Sequence, residues 1–272
     1  MKKKSTEEMS FLDHLEDLRW HLIRATLSIL IAASIAFLFK SFIWDVIIFG
    51  PKSMNFPTYS WLCNMGKLIN IETTFCADDF PFIIQNRTVA GQFSAHIWTS
   101  IYAGFIVAFP YVIYQFWSFI SPGLYDNERK SARGFIVISS LLFFVGVLFG
   151  YYVITPLSLN FLANYNVSPE ISNEFDLDSY IALVRSASLA SGFVFELPII
   201  IYFLTKIGLV TPEILRKYRK FAIVFVLIIA AVITPPDIAS QVIVAIPIFI
   251  LYQVSIYISA VVVRNQKRKK HV

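Results

Sequence analysis

Charge is scarce in this 272-residue chain, with Asp, Glu, Lys and Arg making up only 15% of it. Soluble domains carry about a quarter charged residues, so a water-facing globule is excluded. Cysteine and histidine are scarce too, at two and four residues, and none falls at metal-ligand spacing, so no metal centre is expected. No Gly-rich phosphate loop of the Walker type occurs, which argues against direct ATP use. No nucleophile–base spacing is recognisable, so neither an enzyme nor a cofactor is expected. The first apolar run starts near Leu22, after an acidic–basic segment and without a small-residue cleavage site, so no cleavable signal peptide is expected. Net charge is +5, but the basic residues sit in loops and tails, where they report topology and not nucleic-acid binding.

What the chain has instead is apolar mass. Hydrophobic residues reach 57%, including 26 Phe and 13 Tyr, and mean hydropathy is +0.65. That composition belongs to a membrane protein with aromatic belts. Phe11, Leu15, Leu18 and Leu22 recur at helical spacing, so residues 1–21 read as a polar, amphipathic cytoplasmic segment. Residues 22–263 read as a membrane domain with six spans, at about 22–39, 94–119, 134–163, 180–205, 221–233 and 238–263. Pro110 predicts a kink in the second, and the third must tilt or project beyond a ~30 Å hydrocarbon core. Residues 264–272 form a basic tail. Lys and Arg crowd into the N-terminal segment, 129–133, 206–220 and the tail, whereas only Lys40, Lys52, Lys67 and Arg87 lie in the opposite loops. The positive-inside rule then places both termini in the cytoplasm. Cys63 and Cys76 fall in one long polar loop on the outer side. Either a disulfide or two unpaired thiols fits them.

Three stretches concentrate the chemistry. Phe116–Gly134 is aromatic, stiffened at Pro122 and mixed in charge, with Glu128 beside Arg129, Lys130 and Arg133. A plain loop between spans needs none of this, so it reads either as a docking surface or as an ordinary interfacial hairpin. Glu196 is a carboxylate within an expected span, costly unless paired, hydrated or protonated. Eleven steps of 100° put Arg185, Ser188, Gly192 and Glu196 on one helical face, which should point at a cavity, a helix or a partner. The turn Thr234-Pro235-Pro236-Asp237 follows a span of only 13 apolar residues, too short for the hydrocarbon core.

Four motifs in order resemble those of TatC, the multi-spanning core of the twin-arginine protein translocase, over about residues 11–263. They are His14-Leu15-Glu16-Asp17-Leu18-Arg19-Trp20-His21-Leu22, then Tyr114-Gln115-x-Trp117-x-Phe119-Ile120-x-Pro122-Gly123-Leu124-Tyr125-x-x-Glu128-Arg129, then Phe195-Glu196-x-Pro198, and Thr234-Pro235-Pro236-Asp237-x-x-Ser240-Gln241 with Ala245-Ile246-Pro247. The resemblance implies an all-α, glove-shaped polytopic protein with six transmembrane helices in the bacterial cytoplasmic (inner) membrane. It implies a receptor for twin-arginine signal peptides of folded cargo, contacted by Asp17 or Glu16, Arg19, Phe119, Pro122, Leu124, Tyr125, Glu128 and Arg129. Directional carboxylate–guanidinium bonding makes chemical sense of the carboxylates. It further implies an intramembrane polar site at Glu196 with Arg185 nearby. TatA/TatB-type single-span partners would dock around Thr234, Pro235, Asp237 and Gln241, with self-association and transport driven by the proton-motive force. The usual Glu of the first motif is Asp17 here, with Glu16 beside it. A proton-coupled small-solute carrier built on Glu196 and Arg185 is the alternative from another class.

Overall fold

The amphipathic segment and the first span merge into one helix, α1 (Phe11–Leu38). No Gly or Pro interrupts residues 11–38, so nothing stops the helix between its polar start and its apolar body. The computed structural model describes residues 11–68, 74–76, 82–120, 132–168, 170–171, 173–234 and 238–270. The chain divides into two compact units, Met1–Ile43 with Ala90–Leu142, and Trp44–Val89 with Phe143–Val272.

In the first unit α1 packs antiparallel to α3 (Gly91–Ile120), which continues through Pro110. Small residues allow the approach. A Cβ on Gly104 would lie 2.5 Å from the backbone nitrogen of Ala33, and Ala25, Ala108 and Val112 are buried together. Lipid tails are as apolar as leucine, so close van der Waals packing of this kind, not water exclusion, drives helices together in a bilayer. At one end Phe37 stacks on His96 with ring centroids 4.0 Å apart. At the other, Trp117 sits 4.7 Å from Phe135, near the start of α4 (Ala132–Phe149).

The second unit holds more of the chain. The loop expected between the first two spans contains a helix, α2 (Pro57–Leu68), and a strand, β1 (Ile83–Gln85). Cys63 and Cys76 are bridged, with Cα atoms 5.1 Å apart. β1 pairs in parallel with β2 (Glu174–Asp176), Ile84 opposite Phe175, and Arg87 reaches Glu174 at 3.5 Å. Tyrosine hydroxyls fasten this region. Tyr59 donates to the Pro51 carbonyl at 2.9 Å and Tyr180 to that of Ile48 at 2.8 Å. Burial, then the neighbouring Tyr180, pushes the Tyr59 hydroxyl well above its ordinary pKa.

The expected third span runs from α4 through a π-helical turn, Gly150–Ile154, into α5 (Thr155–Asn164). Pro156 removes a backbone donor there, and the Thr155 hydroxyl donates to the Gly150 carbonyl at 3.0 Å. The fourth breaks into α6 (Leu177–Phe195) and α7 (Leu197–Lys206). Glycines let α6 press on its neighbour: a Cβ on Gly150 would lie 2.3 Å from the Ala187 carbonyl and one on Gly146 2.6 Å from the Ser191 carbonyl, while one on Gly192 would meet the Phe143 and Val147 side chains. After α8 (Pro212–Lys217), α9 (Arg219–Ile233) has 15 residues, about 22 Å of helix. It packs on α10 (Ile238–Lys270) through Val226, Ala230, Val244 and Ile248. α10 joins α7 through a buried Thr205–Ser259 hydroxyl pair at 2.9 Å. Good helix formers without Gly or Pro carry α10 into the basic stretch that the sequence reading left as a tail.

The molecule is thus an all-α polytopic protein, with one small strand pair among the described residues. Among the described residues, five helical runs are long and apolar enough to cross a membrane: His14–Leu38, Gly91–Ile120, Gly134–Asn164, Leu177–Lys206 and Ser240–Arg268. The fifth expected span, 221–233, coincides with α9, which falls below that length.

Candidate functional site

In the first unit, α1 and α3 bring chemistry together at one end of their pair. His14, Asp17 and His21 recur at three- and four-residue steps and share a face of α1. Residues 115 and 119 offer the matching i,i+4 face of α3. His21 Nδ1 lies 2.7 Å from the Gln115 side-chain oxygen. That oxygen only accepts, so Nδ1 carries the proton. Nε2 of the same ring faces an Asp17 carboxylate oxygen at 3.9 Å. His14 stacks on Phe119 with centroids 4.5 Å apart, and His21 meets the edge of the same ring at 6.3 Å. Leu18, Leu22, Ala25 and Phe116 complete a small cleft beside them.

The Asp17 side chain keeps 44% of its surface exposed. A half-exposed carboxylate held beside an imidazole and an aromatic face can receive a guanidinium, bonding it at one edge and stacking it at the other. Glu16 and Arg19 are exposed on other faces of the same helix. The expected site residues Pro122, Leu124, Tyr125, Glu128 and Arg129 lie outside the described residues, as do Pro235 and Asp237. His21 and Gln115 were not singled out as site residues from sequence. The sequence signals were the Asp17–His21 spacing of four and the place of Gln115 in the second motif, but 94 residues separate His21 from Gln115 and hide their pairing.

In the second unit Glu196 is not midway along an unbroken helix. It stands at the turn between α6 and α7 and is 7% exposed. The cause is Pro198, whose nitrogen cannot donate to the carbonyl four residues back. The Glu196 N–H closes a tight turn onto Phe193 O at 3.1 Å, and its carbonyl starts α7 by accepting from Ile200. Of the expected polar stripe, Ser188 and Gly192 are buried. Cβ atoms placed on Gly150 and Gly192 would strike Ser188 and Phe143, respectively, so this face meets a helix. Arg185 is half-buried one turn before Ser188.

Thr234 is 6% exposed and donates its hydroxyl to the Ala230 carbonyl at 2.9 Å, ending α9. Gln241 donates to the Leu227 carbonyl at 3.1 Å and ties α10 to α9. Both therefore bond within the hairpin, while the outward face of α9 leaves Phe221, Phe225 and Val232 at 60% exposure or more. Among the described residues, no group of three His, Cys, Asp or Glu could hold a metal ion.

Comparison with known proteins matches this architecture. A family described as "Sec-independent protein translocase protein (TatC)" matches residues 13–247. A protein of Blattabacterium sp. subsp. Periplaneta americana named "Sec-independent protein translocase protein TatC" is 44% identical, over 94% of this chain and 97% of its own. One of the same name from Aquifex aeolicus is 34% identical, over 95% of this chain and 98% of its own. A solved structure, "Crystal Structure of Twin Arginine Translocase Receptor- TatC", superposes with a TM-score of 0.67 at 31% identity, covering 92% of this chain and 99% of that one.

Proposed function

Because the chain belongs to the TatC family of Sec-independent protein translocase proteins, we propose that it is the translocase subunit that receives twin-arginine signal peptides. The observation that carries this reading is the Asp17–His21–Gln115 arrangement against the His14–Phe119 stack. It offers a carboxylate and an aromatic surface at the end of a helix pair, which suits a guanidinium and not an ammonium. Asp17, on the face that meets α3, takes the role left open between it and Glu16. Glu128 supplies the second carboxylate from the segment that follows Phe119, with Arg19 and Arg129 flanking. Pro122, Leu124 and Tyr125 shape the path of the peptide.

The wider reading follows the family. The protein lies in the bacterial cytoplasmic membrane with both termini inside. Single-span TatA/TatB-type partners lie along α9 and the turn from Thr234 to Gln241, where a short helix thins the bilayer and an apolar face is left uncovered. Glu196 and Arg185 supply the intramembrane polar site, and the proton-motive force drives transport.

The test is photo-crosslinking from a probe at Asn127, with two signal peptides that differ only by Arg-Arg against Lys-Lys. Labelling by the arginine pair that fades with lysines, and that Asp17→Asn weakens, supports the receptor reading. Equal labelling by both peptides removes it.

A further inference from the structure

Where α10 leaves its apolar stretch, it and α8 border an open groove of about 700 Å³. From α10 come Ala260, Val263, Arg264, Lys267 and Arg268. These positions follow i, i+3, i+4, i+7 and i+8, one face of a single helix. The face changes character along its length. Ala260 and Val263 give an apolar floor, and Arg264, Lys267 and Arg268 add three cations within about 12 Å of axial rise from Ala260. The opposite wall, α8, adds Arg216 and the carboxylate of Glu213.

The walls are fastened together. The Tyr252 hydroxyl on α10 donates to the Leu215 carbonyl of α8 at 2.8 Å. Gln266, between the groove cations, donates to the Lys206 carbonyl at 2.9 Å. Among the described residues, none of the four cations is ion-paired. The Glu213 carboxyl is held below its usual range by its own backbone amide and the Thr211 hydroxyl, with Lys267 and Arg216 adding to the effect. It is therefore ionised at neutral pH and offsets one positive charge, leaving a surplus of three.

We propose that this groove binds the phosphodiester headgroup of an anionic membrane lipid. A span that turns from apolar to cationic within two turns meets a lipid at the level where acyl chains give way to phosphate. Ala260 and Val263 then contact the glycerol and first methylenes, and the cations surround the phosphate. A free phosphate has no use for the apolar floor. An acidic peptide has no reason to lie at the depth where a span ends.

The experiment is native mass spectrometry of the full-length protein in detergent, titrated with phosphatidylglycerol and, separately, phosphatidylcholine. Retention of phosphatidylglycerol over phosphatidylcholine is expected. The variant R264Q/K267Q/R268Q should lose at least tenfold in phosphatidylglycerol affinity, since each juxtamembrane cation contributes severalfold. The variant K52Q/K67Q/K220Q removes the same charge elsewhere and should lose little. Glu213→Gln should bind severalfold tighter, a gain that a misfolded variant cannot mimic. Equal loss in both triple variants overturns the proposal, because the attraction is then net charge alone. Displacement of the lipid by inorganic phosphate at equal concentration assigns the groove to a free anion and overturns it. Tighter binding of an oligoglutamate peptide than of the lipid overturns it too.

Discussion

At the residue scale, His21 bonds Gln115 and stands beside Asp17. Its Nδ1–H is committed to Gln115, which fixes the ring plane and keeps Nε2 turned to Asp17. Gln115→Leu keeps the bulk, removes the acceptor and leaves a part-buried N–H without it. A neutral hydrogen bond contributes about 1 kcal/mol net, so the cost in stability is small. The cost in function is larger, because the ring beside the Asp17 carboxylate is no longer fixed in place. The expected outcome is a fall in melting temperature of only a few degrees in detergent, with a severalfold loss of affinity for a labelled twin-arginine peptide. Unchanged peptide affinity would show that the His21–Gln115 bond is packing alone. None of this was legible in the sequence, where His21 is one more polar residue on an amphipathic helix. Asp17 was legible because its motif places it, but which side of α1 meets α3 is settled by Ala25, Ala33, Gly104 and Ala108. Small residues announce a close approach without naming the partner helix.

At the scale of elements, the apolar helices were legible because a bilayer demands long runs with few charges. Breaks within them were only partly so. Pro110 passes through α3, whereas Pro198 ends one helix and begins another, and nothing local separates the two cases. The difference lies in the neighbours. Gly146 and Gly150 bring backbone against α6 between Ala187 and Gly192, and the turn at Glu196 ends that helix. The strand pair was illegible, since three-residue strands 91 positions apart, such as Ile83 and Glu174, carry no periodicity of their own. A prediction belongs to the break. Pro198→Ala returns a donor for the Val194 carbonyl and favours one continuous helix. Continuity turns the Glu196 side chain from its buried place at the turn toward a helix flank. The variant should fold, with a melting temperature no lower than that of the parent. Export of a twin-arginine reporter should fall at least severalfold if the carboxylate's position matters. Export at the parent's rate would show that the turn is only a packing solution.

For the whole molecule, the decisive asymmetry is where the cations lie relative to the spans. Arg19 and Arg24 lie in α1, Arg216 to Lys220 run from the end of α8 into α9, and Arg264 to Lys270 end α10; the positive-inside rule predicts one cytoplasmic side for all three clusters. The same rule predicts the opposite side for the bridged Cys63–Cys76 loop and the acidic stretch from Glu170 to Asp178. A disulfide persists in an oxidising compartment, so the bridged loop and the charge bias predict the same orientation by unrelated chemistry. α9 does not decide the matter, being too short to be recognised by length, yet its presence sets the parity. With it the termini share a side, and without it they oppose. The expected outcome follows from that parity. A cysteine placed at Asn86, beside β1, should react with a membrane-impermeant maleimide in intact spheroplasts. One placed at Asn265, near the end of α10, should react only after the membrane is opened, as should one placed at Glu16 on α1. If Asn265 labels in intact spheroplasts while Glu16 does not, α9 fails to cross and the outward Thr234 turn goes with it. The partner-docking surface would then have to be sought on the cytoplasmic side.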